Sequence, residues 1–152
     1  MTEQTPQHQH DSVQVAFLEK ELRYISGIIK QKGREILSNY TITPPQFVAL
    51  QWLFEHGDMT IGDLSTKMYL AFSTTTDLVD RMEKNELVLR VRDESDRRVV
   101  RIHLLKEGER IIEEVIQKRQ VYLQDILSDF DAPAVQQLSV LLKKLHVEMK
   151  QN

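Results

Sequence analysis

The chain predicts a mainly α-helical fold that carries one small β-hairpin. Three observations predict it. Leu87, Leu89 and Val91 alternate on one side of a polar turn, Asp93-Glu94-Ser95-Asp96, and Val100, Ile102 and Leu104 alternate on the other. Before and after that stretch, apolar residues recur at spacings of three and four, the helical period. Hydrophobic residues make up 41% of the 152 residues, enough for a core in one domain or two small lobes. An isolated hairpin is marginal in water, so this one is expected to lie against the helical body.

Residues 1–11 are polar and read as a mobile tail. The first helix is expected from near Ser12. Its Val15, Leu18, Leu22, Ile25 and Ile29 step by three and four, forming a seam of coiled-coil type. The pattern fades at Gly33 and resumes with Ile36 and Leu37. Thr43-Pro44-Pro45-Gln46 opens a second helix, with Thr43 as cap, proline at the first helical position and Gln46 completing a capping box. Phe47, Leu50, Leu53 and Phe54 form its apolar face, and Gly57 ends it. Thr60-Ile61-Gly62-Asp63 starts a short third helix with Leu64 and Met68 inward, and Tyr69-Leu70-Ala71 make a turn. A fourth helix is expected from about Ser73, with Leu78, Val79 and Met82 inward and Asn85 supplying a left-handed end. After the hairpin a long helix runs from about Lys106 to Asp129, carrying Ile112, Val115, Ile116, Tyr122, Leu123, Ile126 and Leu127. Asp131-Ala132-Pro133 breaks it, and a last helix presents Leu138, Leu141, Leu142, Leu145 and Met149 on one face.

Composition excludes several kinds of chemistry. The chain has no cysteine, so it has no disulfide, thiolate metal site or cysteine redox sensor. Its histidines, His8, His10, His56, His103 and His146, include no pair at i, i+4, and neither a metal site nor a cofactor is expected. It contains no glycine-rich phosphate loop and no nucleophile motif, so an enzyme is not expected. No run of eighteen apolar residues occurs, and the N-terminus lacks the pattern of a secretory signal; a cytoplasmic location is the expectation. The net charge of −3 argues against a broadly basic surface but leaves room for a local patch.

That patch lies in the hairpin. Between Arg90 and Arg101, five arginines (Arg90, Arg92, Arg97, Arg98 and Arg101) outnumber three acidic residues. A short helix, a tight turn, a helix and a hairpin together make a winged helix-turn-helix, here over residues 43–105. The second helix of such a pair enters the DNA major groove by its N-terminal residues. Here those include Ser73, Thr74, Thr75 and Thr76, whose hydroxyls suit phosphates and base edges. Arg81 and Lys84 follow within phosphate reach, and an arginine-tipped wing suits a phosphate backbone or a minor groove.

On these residues the chain resembles the MarR family of transcriptional regulators. Leu78-Val79-Asp80-Arg81-Met82-Glu83-Lys84 resembles the family's recognition-helix core. Asp96-Arg97-Arg98, followed by Arg101-Ile102-His103-Leu104 and Gly108, resembles its wing signature. The resemblance runs from roughly Val13 to Met149. It implies DNA-binding roles for Ser73, Thr74, Thr75, Thr76 and Arg81 on the helix and for Arg92, Asp96, Arg97 and Arg98 on the wing. Arg97 or Arg98 would enter the minor groove, and Asp96 would orient Arg98 by a bidentate pair. It further implies a helical dimerisation region over 12–38 and 106–150, a homodimer on a pseudo-palindromic double-stranded site, and a repressor released by a small aromatic or anionic ligand. Three positions depart from the family pattern: Leu105 where a threonine cap is common, Glu86 where glycine is common, and Asp77 where a basic or neutral residue is frequent. A winged-helix protein-interaction module without DNA binding is the alternative reading.

Overall fold

The structure, a computed structural model, describes residues 8–152. The helices are α1 (Ser12–Leu37), α2 (Pro44–His56), α3 (Ile61–Met68), α4 (Phe72–Lys84), α5 (Lys106–Leu127) and α6 (Ala132–Gln151). The strands are β1 (Met59–Thr60), β2 (Val88–Arg92) and β3 (Val100–Leu104). The expected tail of residues 1–11 lies outside the described residues up to residue 7; residues 8–11 precede α1 without regular structure. The fold is mainly helical with one small antiparallel sheet, as the sequence predicts. The chain divides into two compact units, one ending at Pro44 and the other running from Pro45 to Asn152.

The first unit is built on α1. Asp11 fixes its start, because the carboxylate accepts the Val13 amide at 2.8 Å. Gly33, Ile36 and Leu37 at its C-terminal end are buried. Every residue of the predicted seam stays exposed: Val15, Leu18, Leu22, Ile25 and Ile29 range from 38% to 54%.

The second unit holds a core in which Leu50, Leu64, Val79, Met82, Val88, Ile102, Ile112 and Val115 are wholly buried. α3 packs against α4 and against the sheet, and α4 packs on β2. Thr60 serves twice. It closes β1, and its hydroxyl accepts the Asp63 amide at 3.0 Å while Asp63 returns a carboxylate to the Thr60 amide, a complete capping box. Gly57 has φ +81, the left-handed conformation expected of a terminator. α6 buries no residue, and Leu138, Leu141, Leu142, Leu145 and Met149 all remain exposed.

The sheet corrects two expectations. The β2–β3 hairpin is joined by a third strand that the sequence does not announce, because Met59 and Thr60 pair with Ile102 and Arg101, giving the order β1-β3-β2. A two-residue strand is too short to carry a period. The buried face also differs. Val88 pairs with Leu104 and Arg90 with Ile102, so Val88, not Leu89 or Val91, lies on the core side. A shift of one residue exchanges the two faces of a strand, and Leu87, Val88, Leu89 and Val91 offer apolar side chains in both parities.

The end of α4 corrects a third. Asn85 has φ −86, and the left-handed residue is Glu86 at φ 60. The Leu87 amide donates to the Met82 carbonyl and the Glu86 amide to the Glu83 carbonyl, each at 3.0 Å, which is the Schellman arrangement. Tyr69, at φ 55, closes α3 in the same way. Leu87 also sets the start of α5, since its carbonyl accepts the Leu105 amide at 3.0 Å. A Cβ on Gly108 would stand 2.5 Å from that same carbonyl oxygen, so only glycine permits this approach.

Two substitutions test this geometry by thermal unfolding. Glu86→Gly relieves the left-handed strain and raises stability by about 1 kcal/mol, or roughly 2–4 °C in Tm. Gly108→Ala forces the Leu87 carbonyl away from α5 and lowers stability by about 1–3 kcal/mol. A neutral Gly108→Ala, or a destabilising Glu86→Gly, contradicts the packing described.

Candidate nucleic-acid interface

α4 presents two distinct faces. Thr75, Val79 and Met82 are buried, and the 100° step between helical residues turns Ser73, Asp77, Arg81 and Lys84 to the opposite, exposed side. The hydroxyl cluster is therefore divided. Ser73 and Thr74 are exposed. Thr75 is fully buried, and its hydroxyl donates to the Ala71 carbonyl at 3.0 Å. Thr75 thus belongs to the core rather than to a DNA-facing set: its methyl fills space and its hydroxyl is satisfied one turn back. Thr76 is half-buried and donates to the Phe72 carbonyl at 3.1 Å. The amides at the start of α4 receive no side-chain cap, since the N-cap residue is Ala71. Tyr69, 96% exposed, and Phe72, 62% exposed, flank this turn as uncovered aromatics that periodicity alone does not single out.

The wing tip spans Asp93 to Val99 and is held by its own side chains. The Asp93 amide donates to the Val99 carbonyl at 2.9 Å, and the Val99 amide to the Asp96 carbonyl at 3.0 Å. One Asp93 carboxylate oxygen accepts the Ser95 amide at 2.8 Å, the Ser95 hydroxyl at 2.7 Å and the Asp96 amide at 3.3 Å. The other oxygen takes the Arg101 guanidinium. Asp96 grips Arg98 through Nε at 3.1 Å and Nη2 at 3.2 Å, and it also accepts the Arg98 amide. The paired Arg98 side chain nevertheless stays 91% exposed. Arg92 braces the tip by donating Nη1 to the Arg97 carbonyl at 3.0 Å. Arg97 itself is exposed, with no side-chain partner among the described residues.

Arg90 departs from the expected outward display. It lies on the core-side face of β2, where it donates to Asp80 at 2.6 Å and to Glu83 at 2.9 Å, both on α4. Its backbone amide, on the free edge of β2, donates to the second Glu83 oxygen at 2.9 Å. Burial alone would lower the Arg90 pKa, but the hydrogen bonds it donates to Asp80 and Glu83 outweigh it and hold the pKa above the ordinary value. This clamp escapes sequence reading because its members lie seven and ten residues apart across a helix end.

The hydrogen bonds from Ser95, then the Arg101 guanidinium, hold the Asp93 carboxyl well below the usual carboxylate range. Its contribution to stability is thus complete above the ordinary carboxylate pKa and fades as pH falls below about 4 toward the native value. Asp93→Asn is expected to melt below the parent at pH 7, and the gap is expected to narrow between roughly pH 4 and pH 2. A gap independent of pH in melting experiments contradicts the role given to the Asp93 carboxylate.

Comparison with known proteins gives a consistent result. The MarR family model matches residues 42–100. The HTH-type transcriptional regulator YsmB of Bacillus subtilis (strain 168) is 68% identical over 136 residues, covering 90% of this chain and 93% of its own. The solved structure of a MarR family protein from Bacillus stearothermophilus is 62% identical with a TM-score of 0.90, over 93% of this chain and 99% of that one. The homoprotocatechuate degradative operon repressor of Escherichia coli is 28% identical, with 89% of this chain and 88% of the repressor covered. The structure of NadR in complex with 4-hydroxyphenylacetate is 25% identical with a TM-score of 0.70, over 96% and 97% of the two chains. This chain belongs to the MarR family of DNA-binding transcriptional regulators.

Proposed function

We propose that two copies of this chain form a repressor that grips a pseudo-palindromic duplex through α4 and the wing and leaves it when a small ligand binds. The observation that carries this reading is the wing tip. Arg98 is held in a fork by Asp96 yet remains almost fully exposed, and Arg97 stands beside it without a partner among the described residues. Pre-oriented, hydrated guanidinium groups of this kind suit phosphates and narrow minor grooves. In this reading residues 43–105 are the DNA-binding part. Ser73, Thr74 and Arg81 meet the major groove or its phosphates, with Thr76 at the margin, and Arg92, Asp96, Arg97 and Arg98 form the wing contact.

Residues 12–38 and 106–150 supply the dimer. Exposed apolar seams on α1 and α6, with Val121, Leu123 and Ile126 exposed on α5, favour a second copy as their cover. Members of this family bind DNA as dimers, and a two-fold pair would set its recognition helices about 34 Å apart. The repressor role is supported by the E. coli relative's name. A small aromatic acid as the releasing ligand is supported by the 4-hydroxyphenylacetate complex of NadR.

Titration of a duplex selected by the full chain from random sequence tests this reading. Arg97→Ala with Arg98→Ala is expected to weaken binding about ten-fold or more and to flatten the log K against log salt slope by about 2, with helical content unchanged. Parent-like affinity in the double variant removes the wing from the interface. A single-chain mass in light scattering at micromolar concentration removes the dimer.

A further inference from the structure

The recognition helix has fewer base-reading groups than its sequence offers. Thr75 is buried, and Thr75 and Thr76 both spend their hydroxyl protons on carbonyls of their own helix. The exposed polar groups left over the first two turns are Ser73, Thr74 and Asp77. Asp77 is the only one of these that is charged. It lies on the side of α4 opposite the buried Thr75, Val79 and Met82, in line with Ser73 and Lys84. The other two carboxylates of the helix interior, Asp80 and Glu83, are occupied by Arg90, whereas Asp77 has no ion-pair or hydrogen-bond partner among the described residues.

A free carboxylate on the face that meets a polyanion weakens binding to any sequence unless a donor in the groove compensates it. A carboxylate is an acceptor only. In the major groove, guanine offers two acceptors and thymine one, and adenine pairs its amino donor with the N7 acceptor. Cytosine presents the N4 amino group alone. We infer that Asp77 is a specificity-determining residue that accepts a hydrogen bond from cytosine N4 in each half-site and penalises other sequences by repulsion. This rests on the DNA-binding reading above and goes beyond it by naming the base.

The experiment uses the full chain and a duplex it selects from a random pool, with a scrambled duplex as control. For the parent, replacing one particular C·G pair in both half-sites is expected to weaken binding about ten-fold or more. Asp77→Ala is expected to lose that dependence and weaken on the selected duplex, whereas Asp77→Asn, which keeps an acceptor oxygen, is expected to lose only part of it. Both are also expected to bind the scrambled duplex about two-fold or more tightly than the parent, because one negative charge is gone. Opposite signs on the two duplexes are the signature of cytosine reading. Asp77 is exposed on a helix surface, and matching circular dichroism of the two variants checks that the fold is kept. A uniform loss on both duplexes, a uniform gain, or a cytosine preference that survives in Asp77→Ala overturns the inference while leaving DNA binding intact. Failure of the parent to select any duplex overturns the DNA-binding reading as well.

Discussion

Much of the second unit depends on the clamp between Arg90 and the two carboxylates of α4. The arginine leaves β2 on the core side and reaches Asp80 and Glu83, while Glu83 also accepts the Arg90 amide. One residue of the wing is thereby tied to the recognition helix by side chain and backbone together. Exposed ion pairs contribute little, about 0–1 kcal/mol each, but this group is only partly exposed, with the Arg90 side chain at 28%. Its consequence is geometric more than energetic. One amide on the free edge of β2 is satisfied by Glu83, and the base of the wing is tied to α4.

Around that clamp the chain places two tight closures. The Schellman turn at Glu86 delivers Leu87 into the core, and the Leu87 carbonyl receives α5 through Leu105, with Gly108 leaving room for the approach. α4, the hairpin and the start of α5 therefore share a few backbone atoms as their common reference. The wing tip is a separate local structure. Asp93 organises the loop from within, and Asp96 aims Arg98. The arrangement combines a fixed base with an exposed, pre-oriented cationic tip, which suits contact with a duplex whose grooves are themselves regular.

Sequence reading succeeds here where the decisive chemistry is local. The Thr60–Asp63 capping box, Gly57 at positive φ and Pro44 at the first position of α2 each follow from neighbouring residues. It fails where a distant partner decides. The face of β2 is set by Ile102 and α4, and four nearby apolar residues leave the parity open. Thr75 reads as polar, yet its methyl is core and its hydroxyl bonds one turn back. The left-handed end of α4 falls on Glu86 because Asn85, the residue that would tolerate that conformation best, is held as the C-cap at φ −86. Of the site, the Asp96–Arg98 fork is legible from its spacing, whereas the Arg90 clamp is not.

The central claim is that α4 and the wing act as one reading head joined through Arg90. A double-mutant cycle on duplex affinity tests it most directly, combining Arg90→Met, which keeps the apolar stem, with Arg97→Ala at the tip. If the clamp fixes the wing, Arg97→Ala costs less affinity in the Arg90→Met background than in the parent, by at least about 0.5 kcal/mol. Strict additivity of the two substitutions would mean that the wing holds its place without the clamp, and would contradict the account.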